Sequence, residues 1–142
     1  MKTLNPCKPA TELILRVRTA AEMMTPHPVS IRQDATVTEA AAFLTSRGIS
    51  AAPVIDEAGR PVGVVCRSDI LFQCHTASGA RTPAYALMTP AVFCVRPDAS
   101  AREVVETMVD LGVRRLFVVD DSGVLVGVIS ALDVLRHLCQ RN

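Results

Sequence analysis

A chain of 142 residues, 49% hydrophobic and 20% charged, has the length of one domain and enough apolar residues for a core, which excludes a disordered polymer. A net charge of +1, no Trp and a single tyrosine, Tyr85, argue against a nucleic-acid surface, which gathers basic and aromatic side chains on one face. No apolar run approaches the roughly 18 residues of a membrane span, and the amino terminus does not read as a signal peptide, so a cytoplasmic protein without membrane contact is expected.

In chain order, residues 12–22 (ELILRVRTAAE) place Leu13, Val17 and Ala20 on one stripe and predict a short helix. Met24 to Pro28 holds two prolines and should be extended, leading into a strand over Val29-Ser30-Ile31. Thr36-x-x-Glu39 is a capping box. Val37, Ala40, Ala41 and Leu44 follow at helical spacing, and Gly48 ends the helix. A hairpin of 52–55 with 62–65 comes next, then a helix beginning near Asp69. Residues 73–84 (QCHTASGARTPA) read as a connecting loop. The same order then returns. Ser100-x-x-Glu103 caps a helix with Ala101, Val104, Val105 and Met108 on its stripe, and Gly112 ends it. A hairpin of 116–119 with 125–129 turns at Asp121-Ser122-Gly123, and a closing helix begins near Ser130.

The chain is therefore a duplication. An offset of 64 residues carries Met24-Thr25-Pro26 onto Met88-Thr89-Pro90 and runs without a gap to Leu71 on Leu135. Asp56 meets Asp120, Gly59 meets Gly123, Gly63 meets Gly127 and Asp69 meets Asp133. Such a unit usually cannot bury its apolar face alone, so the two copies should pack as one module. The implied divisions are an N-terminal segment 1–20, repeats at 21–72 and 85–138, a linker 73–84 and a tail 139–142.

Residues 24–71 carry four Arg against five acids, and residues 88–135 four Arg against seven, so neither repeat is basic. Five cysteines (Cys7, Cys66, Cys74, Cys94, Cys139) at irregular spacings, with no C-x-x-C, read as reduced thiols. Cys74-His75 has no second pair at metal spacing. His137 and Cys139 are expected on different faces of a helix, so no metal site is expected. His27 reads as a surface residue beside the extended segment. No G-x-x-x-x-G-K-[ST], G-x-G-x-x-G, H-E-x-x-H or Ser-His-Asp arrangement occurs, which leaves no catalytic candidate and no glycine loop for phosphate.

The repeated β-α-β-β-α unit, with Gly48-Ile49-x-x-x-Pro53 and Gly127-Val128-Ile129-Ser130-x-x-Asp133, resembles the cystathionine-β-synthase (CBS) domain, and a tandem pair of these forms a Bateman module. The resemblance covers residues 21 to about 138. It implies an α/β (α+β) fold of two repeats related by a pseudo-twofold axis, and commonly a homodimer formed through the helices. It also implies an adenosine ligand (AMP, ADP, ATP or S-adenosylmethionine) that regulates a partner, with no enzymatic activity and no required cofactor. With no further domain in these residues, a stand-alone sensor is expected; the alternative is a ligand-free module for dimerisation or docking.

The chemistry of the site can be read beside the resemblance. An ionised carboxylate can accept from both ribose hydroxyls through charge-assisted hydrogen bonds, and Asp69 and Asp133 lie where a strand hands over to a helix. Ser130-x-x-Asp133 is equally a capping pair. Asp69, however, is kept where Cys66 replaces the serine, which favours a ligand role. By the resemblance, a first cleft would join Ser130 and Asp133 to Thr25, Ile49 and Ser50. A second would join Asp69 to Thr89, Val113 and Arg114, with Arg115 nearby and Arg67 in the place of a phosphate-contacting residue. Phosphate-rich ligands should then prefer the second cleft, unless the arginine pair is only an exposed strand end.

Overall fold

The computed structural model describes residues 13–75 and 79–140. Its elements run β1 (Leu13–Leu15), α1 (Ala20–Met23), β2 (Thr25–Pro26), β3 (Ile31–Arg32), α2 (Val37–Arg47), β4 (Ala51–Ile55), β5 (Pro61–Cys66) and α3 (Arg67–Cys74). After a 3₁₀ turn at Gly79–Arg81 come α4 (Ala84–Leu87), β6 (Cys94–Val95), α5 (Ala101–Leu111), β7 (Arg115–Val119), β8 (Leu125–Ser130), α6 (Ala131–Arg136) and β9 (Leu138–Gln140). The fold is mixed α+β with two copies of one unit, as the duplication requires.

The residues shared by the copies are those that fix backbone geometry. Thr36 caps α2 in a reciprocal capping box with Glu39, and the Ser100 side chain accepts from the Glu103 amide at the start of α5. Gly48 and Gly112 end these helices at φ 63° and 65°, the left-handed conformation that L-residues adopt only with strain. In each hairpin one aspartate builds the turn. Asp56 Oδ1 accepts from the amides of Ala58 and Arg60, both at 2.9 Å. Asp120 Oδ1 accepts from those of Ser122 and Val124 at 2.8 and 3.0 Å. The buried faces of the helices match the stripes, with Val37, Ala40 and Leu44 inside on α2 and Ala101, Val104 and Met108 inside on α5.

Each copy is completed by the lead segment of the other. Thr25 and Pro26 of β2 pair antiparallel with Val128 and Gly127 of β8, and the bridge between Val64 and Thr89 is the symmetry-related contact. The Ala101 amide donates to the Arg18 carbonyl and the Val37 amide to the Thr82 carbonyl, each at 2.8 Å. There are accordingly two cores. One gathers Ala20 and Met23 with Val95, Val104, Met108, Leu116, Val118 and Ile129. The other gathers Ile31, Ala40, Leu44, Ala52, Val54 and Val65 with Ala84, against which Leu87 and Met88 pack.

Five expectations change. The helix over 12–22 is replaced, within the described residues, by strand β1, which pairs with β9, and by the short α1, capped by Thr19. Glu12 lies outside the described residues. Leu15, Arg16, Val17 and Arg18 alternate between half-buried and exposed, a period-two pattern that the longer helical stripe obscured. The strand expected over Val29–Ile31 lies at Ile31–Arg32. Helix α3 begins at Arg67, two residues before Asp69, because Cys66 occupies the N-cap. The linker carries the 3₁₀ turn and the start of α4, while Cys139 sits in β9 and not on a helix.

The crossed packing makes a sharp test. A Cβ at Gly63 would stand 2.7 Å from the Thr89 carbonyl oxygen, whereas the three atoms nearest to one at Gly127 all belong to the Met24 side chain. Gly63→Ala should therefore cost about 1–3 kcal/mol, and more than Gly127→Ala, when both are measured by urea unfolding.

Candidate ligand clefts

The hairpin β4–β5 and the hairpin β7–β8 face each other across the module, and a cleft opens on either side of their contact. Both have the size of ordinary small-molecule sites, about 420 and 360 Å³.

The first cleft is lined by Thr25, Ile49, Ser130 and Asp133, four of the five residues expected there. Ser50 is not among its lining residues; its carbonyl accepts from the Arg67 amide at 3.0 Å. Pro28, Val29, Ala52, Pro53, Val64, Phe117 and Val128 supply an apolar wall suited to a flat ring. Three basic residues that the sequence reading did not assign to this cleft also line it: His27, Arg115 and Arg136. His27 is exposed and is the only non-glycine residue among those described with positive φ, at 51°. It stands between two prolines, where its amide donates to the Val126 carbonyl at 3.2 Å.

Asp133 is held rigidly. Only 8% of it is exposed. Its Oδ2 accepts from the Ser130 amide at 2.8 Å and from Ser130 Oγ at 3.0 Å, and the Ser130 hydroxyl in turn accepts from the Asp133 amide at 3.1 Å. The capping pair is thus real. It uses one carboxylate oxygen; Oδ1 has Arg136 Nη1 at 3.7 Å, a loose ion pair. Capping therefore occupies Oδ2 and leaves Oδ1 with only the loose contact to Arg136.

The second cleft is lined by Thr89, Val113, Arg114 and Arg115, together with Val64, Cys66, Ala91, Phe93 and Phe117. Arg67 and Asp69 are not among its lining residues. Arg67 lines a separate surface groove with Leu44, Ile70 and Leu71, because α3 starts at Arg67 and turns its side chain toward α2. Asp69 is half-buried, and its Oδ2 accepts from the Cys66 amide at 2.7 Å. Burial pushes the Cys66 thiol above its usual range, and the carboxylate of Asp69 adds to this while Arg115 partly offsets it. The thiol is therefore neutral at physiological pH. The expectation that phosphate would favour the second cleft loses one of its three arginines here, and the first cleft gains two.

Comparison with known proteins agrees with this architecture. The family model for the CBS domain matches twice, at residues 20–75 and 84–140. The chain belongs to the CBS domain family. It is 36% identical over 124 residues to the magnesium transporter MgtE of Thermus thermophilus, covering 84% of this chain and 26% of that protein. The crystal structure of CBSX2 in complex with AMP has a TM-score of 0.70 at 28% identity, covering 83% of this chain and 93% of that one. The cytosolic domain of the Mg²⁺ channel MgtE in complex with ATP has a TM-score of 0.72 at 35% identity, covering 84% and 48%. The chain spans between 24% and 53% of the length of the first curated relatives it matches. Among the described residues no helix is long and apolar enough to cross a membrane, and no cluster of His, Cys, Asp and Glu could hold a metal ion.

The unequal N-caps of α6 and α3 can be weighed directly. Ser130→Ala should cost about 1 kcal/mol through loss of the hydroxyl cap. Cys66→Ala, which removes only a weak thiol acceptor, should cost less than half as much in the same thermal unfolding assay.

Proposed function

We propose that this CBS pair binds an adenosine ligand of the AMP, ADP or ATP class in its clefts, and that occupancy regulates a partner protein in the cytoplasm. The observation that carries this reading is the divided carboxylate of Asp133. One oxygen is fixed by Ser130, the other has only a loose ion pair with Arg136, and the residue lines a cleft that has apolar walls and also holds Arg115, Arg136 and His27. A ribose would donate to Oδ1, a purine would lie between Ile49, Pro53 and Val128, and phosphate would meet the basic rim. Two solved relatives, described as complexes with AMP and with ATP, support the ligand class. S-adenosylmethionine fits less well, because its cationic sulfonium gains nothing from three basic side chains. The proposed sites are Thr25, Ile49, Ser130, Asp133, Arg115, Arg136 and His27 in the first cleft, and Thr89, Val113, Arg114 and Arg115 in the second. The hydroxyl and carboxylate of Ser130 and Asp133 in the first cleft are engaged with each other in capping α6, which supports a binding role over catalysis. A ligand that prefers one arrangement of the two hairpins shifts the population toward it, which is all that signalling to a partner requires.

The test is a thermal-shift screen against AMP, ADP, ATP, S-adenosylmethionine and GTP. A ligand at a hundred times its dissociation constant adds about 2.7 kcal/mol of stability. A shift confined to adenine nucleotides is expected, and no shift with any ligand would remove the proposal. Asp133→Ala should weaken AMP binding about 10- to 100-fold, the worth of a charge-assisted hydrogen bond withdrawn from water.

We further propose that the chain dimerises through its helices. Leu71 and Phe72 of α3, Val109 and Leu111 of α5, and Leu132 and Leu135 of α6 are large apolar side chains left 45–73% exposed. Val109 and Leu135 line an almost wholly apolar groove between α5 and α6 with Met108 and Val134. Exposed apolar patches of this kind mark association surfaces. Val109→Glu combined with Leu135→Glu should convert a dimer to a monomer in analytical ultracentrifugation; a wild-type monomer would refute the arrangement.

A further inference from the structure

Arg115 is the one charged residue that lines both clefts; the other two shared lining residues, Val64 and Phe117, are apolar. It opens β7, cross-strand from Ser130, at the contact between the hairpins. The duplication supplies no counterpart, since Arg114 and Arg115 correspond to Ser50 and Ala51 in the first copy. The side chain is uncommitted. The ion pairs of the described residues are Arg32–Asp34, Arg96–Asp121, Arg102–Glu106 and Arg136–Asp133, and none includes Arg115. Its charge reaches the second cleft, where it acts on the Cys66 thiol.

We propose that Arg115 is a phosphate-binding group shared between the two clefts of one chain, so that an anionic nucleotide seated in one weakens an anionic nucleotide in the other. The inference rests on the nucleotide reading of the clefts. A guanidinium presents its donors as one planar fork and grips one phosphate at a time. The two clefts do not lose equally when it is taken. The second keeps Arg114, whereas the first keeps only the imidazole of His27 and Arg136, which already faces Asp133 at 3.7 Å. A neutral nucleoside makes no use of Arg115, so the competition is confined to ligands that carry phosphate. Direct repulsion between two phosphates across the same wall would also weaken the second nucleotide, but that repulsion does not need the arginine and survives its removal.

Calorimetric titration of the full chain with AMP and with adenosine separates these cases. In the wild type, the ratio of the two AMP dissociation constants should exceed the corresponding adenosine ratio by about ten-fold, the worth of a charge-assisted bond. Binding of one AMP but two adenosines is the limiting form of the same result. Arg115→Gln should bring the two ratios together by weakening the first AMP while leaving adenosine binding unchanged. Arg115→Lys, which keeps the charge, should retain most of the difference. Sharing is overturned, with the nucleotide clefts still standing, by any of four results: equal ratios for the two ligands in the wild type, one binding event for both ligands, an AMP difference that persists in Arg115→Gln, or a loss of adenosine affinity in that variant equal to the loss for AMP. If neither ligand binds the wild type, both this inference and the nucleotide reading fall.

Discussion

The structure depends on the exchange of lead segments between the two copies. Residues 18–26 lead into the first copy but complete the second, through Arg18 on Ala101, Ala20 on Ala99 and Thr25 on Val128. Residues 82–89 complete the first in the same way, through Thr82 on Val37, Ala84 on Ala35 and Thr89 on Val64. The unit that repeats in sequence is therefore not the unit that closes a core. A single copy would leave the face of its hairpin open where Met88 or Met24 should lie, and would leave backbone donors without partners, which is costly once they are buried. Gly63 and Gly127 belong to the same device. They lack a side chain because the methionine of the opposite copy's Met-Thr-Pro arm occupies that space.

The exchange also positions the clefts. Because each Met-Thr-Pro arm is stitched to the hairpin of the other copy, Thr25 and Thr89 are carried to opposite edges of the contact between hairpins. Each cleft therefore takes one wall from each copy. A ligand held there touches Asp133 of one copy and Ile49 of the other, so it reports on their relative placement. That placement follows from topology before any side-chain chemistry is considered.

The sequence made legible whatever is governed by local rules. Both capped helices, both hairpins and their Asp-Gly turns formed as read, because caps, stripes and turn residues act within four residues of one another. What could not be read was long-range pairing. The strand Leu13–Leu15 exists because Leu138–Gln140 lies beside it, and nothing within the segment announces a partner more than 120 residues away. In the clefts the same division holds. Thr25, Ile49, Ser130 and Asp133, joined by the resemblance, do line one cleft, whereas Arg67 lines a separate groove because its side chain leaves the first turn of α3 on the helix flank. His27 and Arg136 were missed for a related reason. Each lies beside a motif and reaches the cleft by a turn of the backbone or one step round a helix, which residue type does not reveal.

The departures from internal symmetry fall on the walls of the two clefts. Duplication would give two equal clefts, each with a capped aspartate and a neutral strand end. The first copy has Cys66 where the second has the Ser130 hydroxyl, and keeps the backbone bond from residue 66 to its aspartate. The second copy has Arg114 and Arg115 where the first has Ser50 and Ala51. The pseudo-twofold then places Cys66 and both arginines together in one cleft, and Ser130 and Asp133 in the other with Arg115 reaching across. One cleft thus has a fixed carboxylate acceptor and, beside its own His27 and Arg136, a cation shared with the other. The other has the cations, and its walls lack that acceptor. Two clefts so divided share one charged side chain, Arg115, through which a charge held in one would bear on the other, in addition to any direct repulsion between the two occupants.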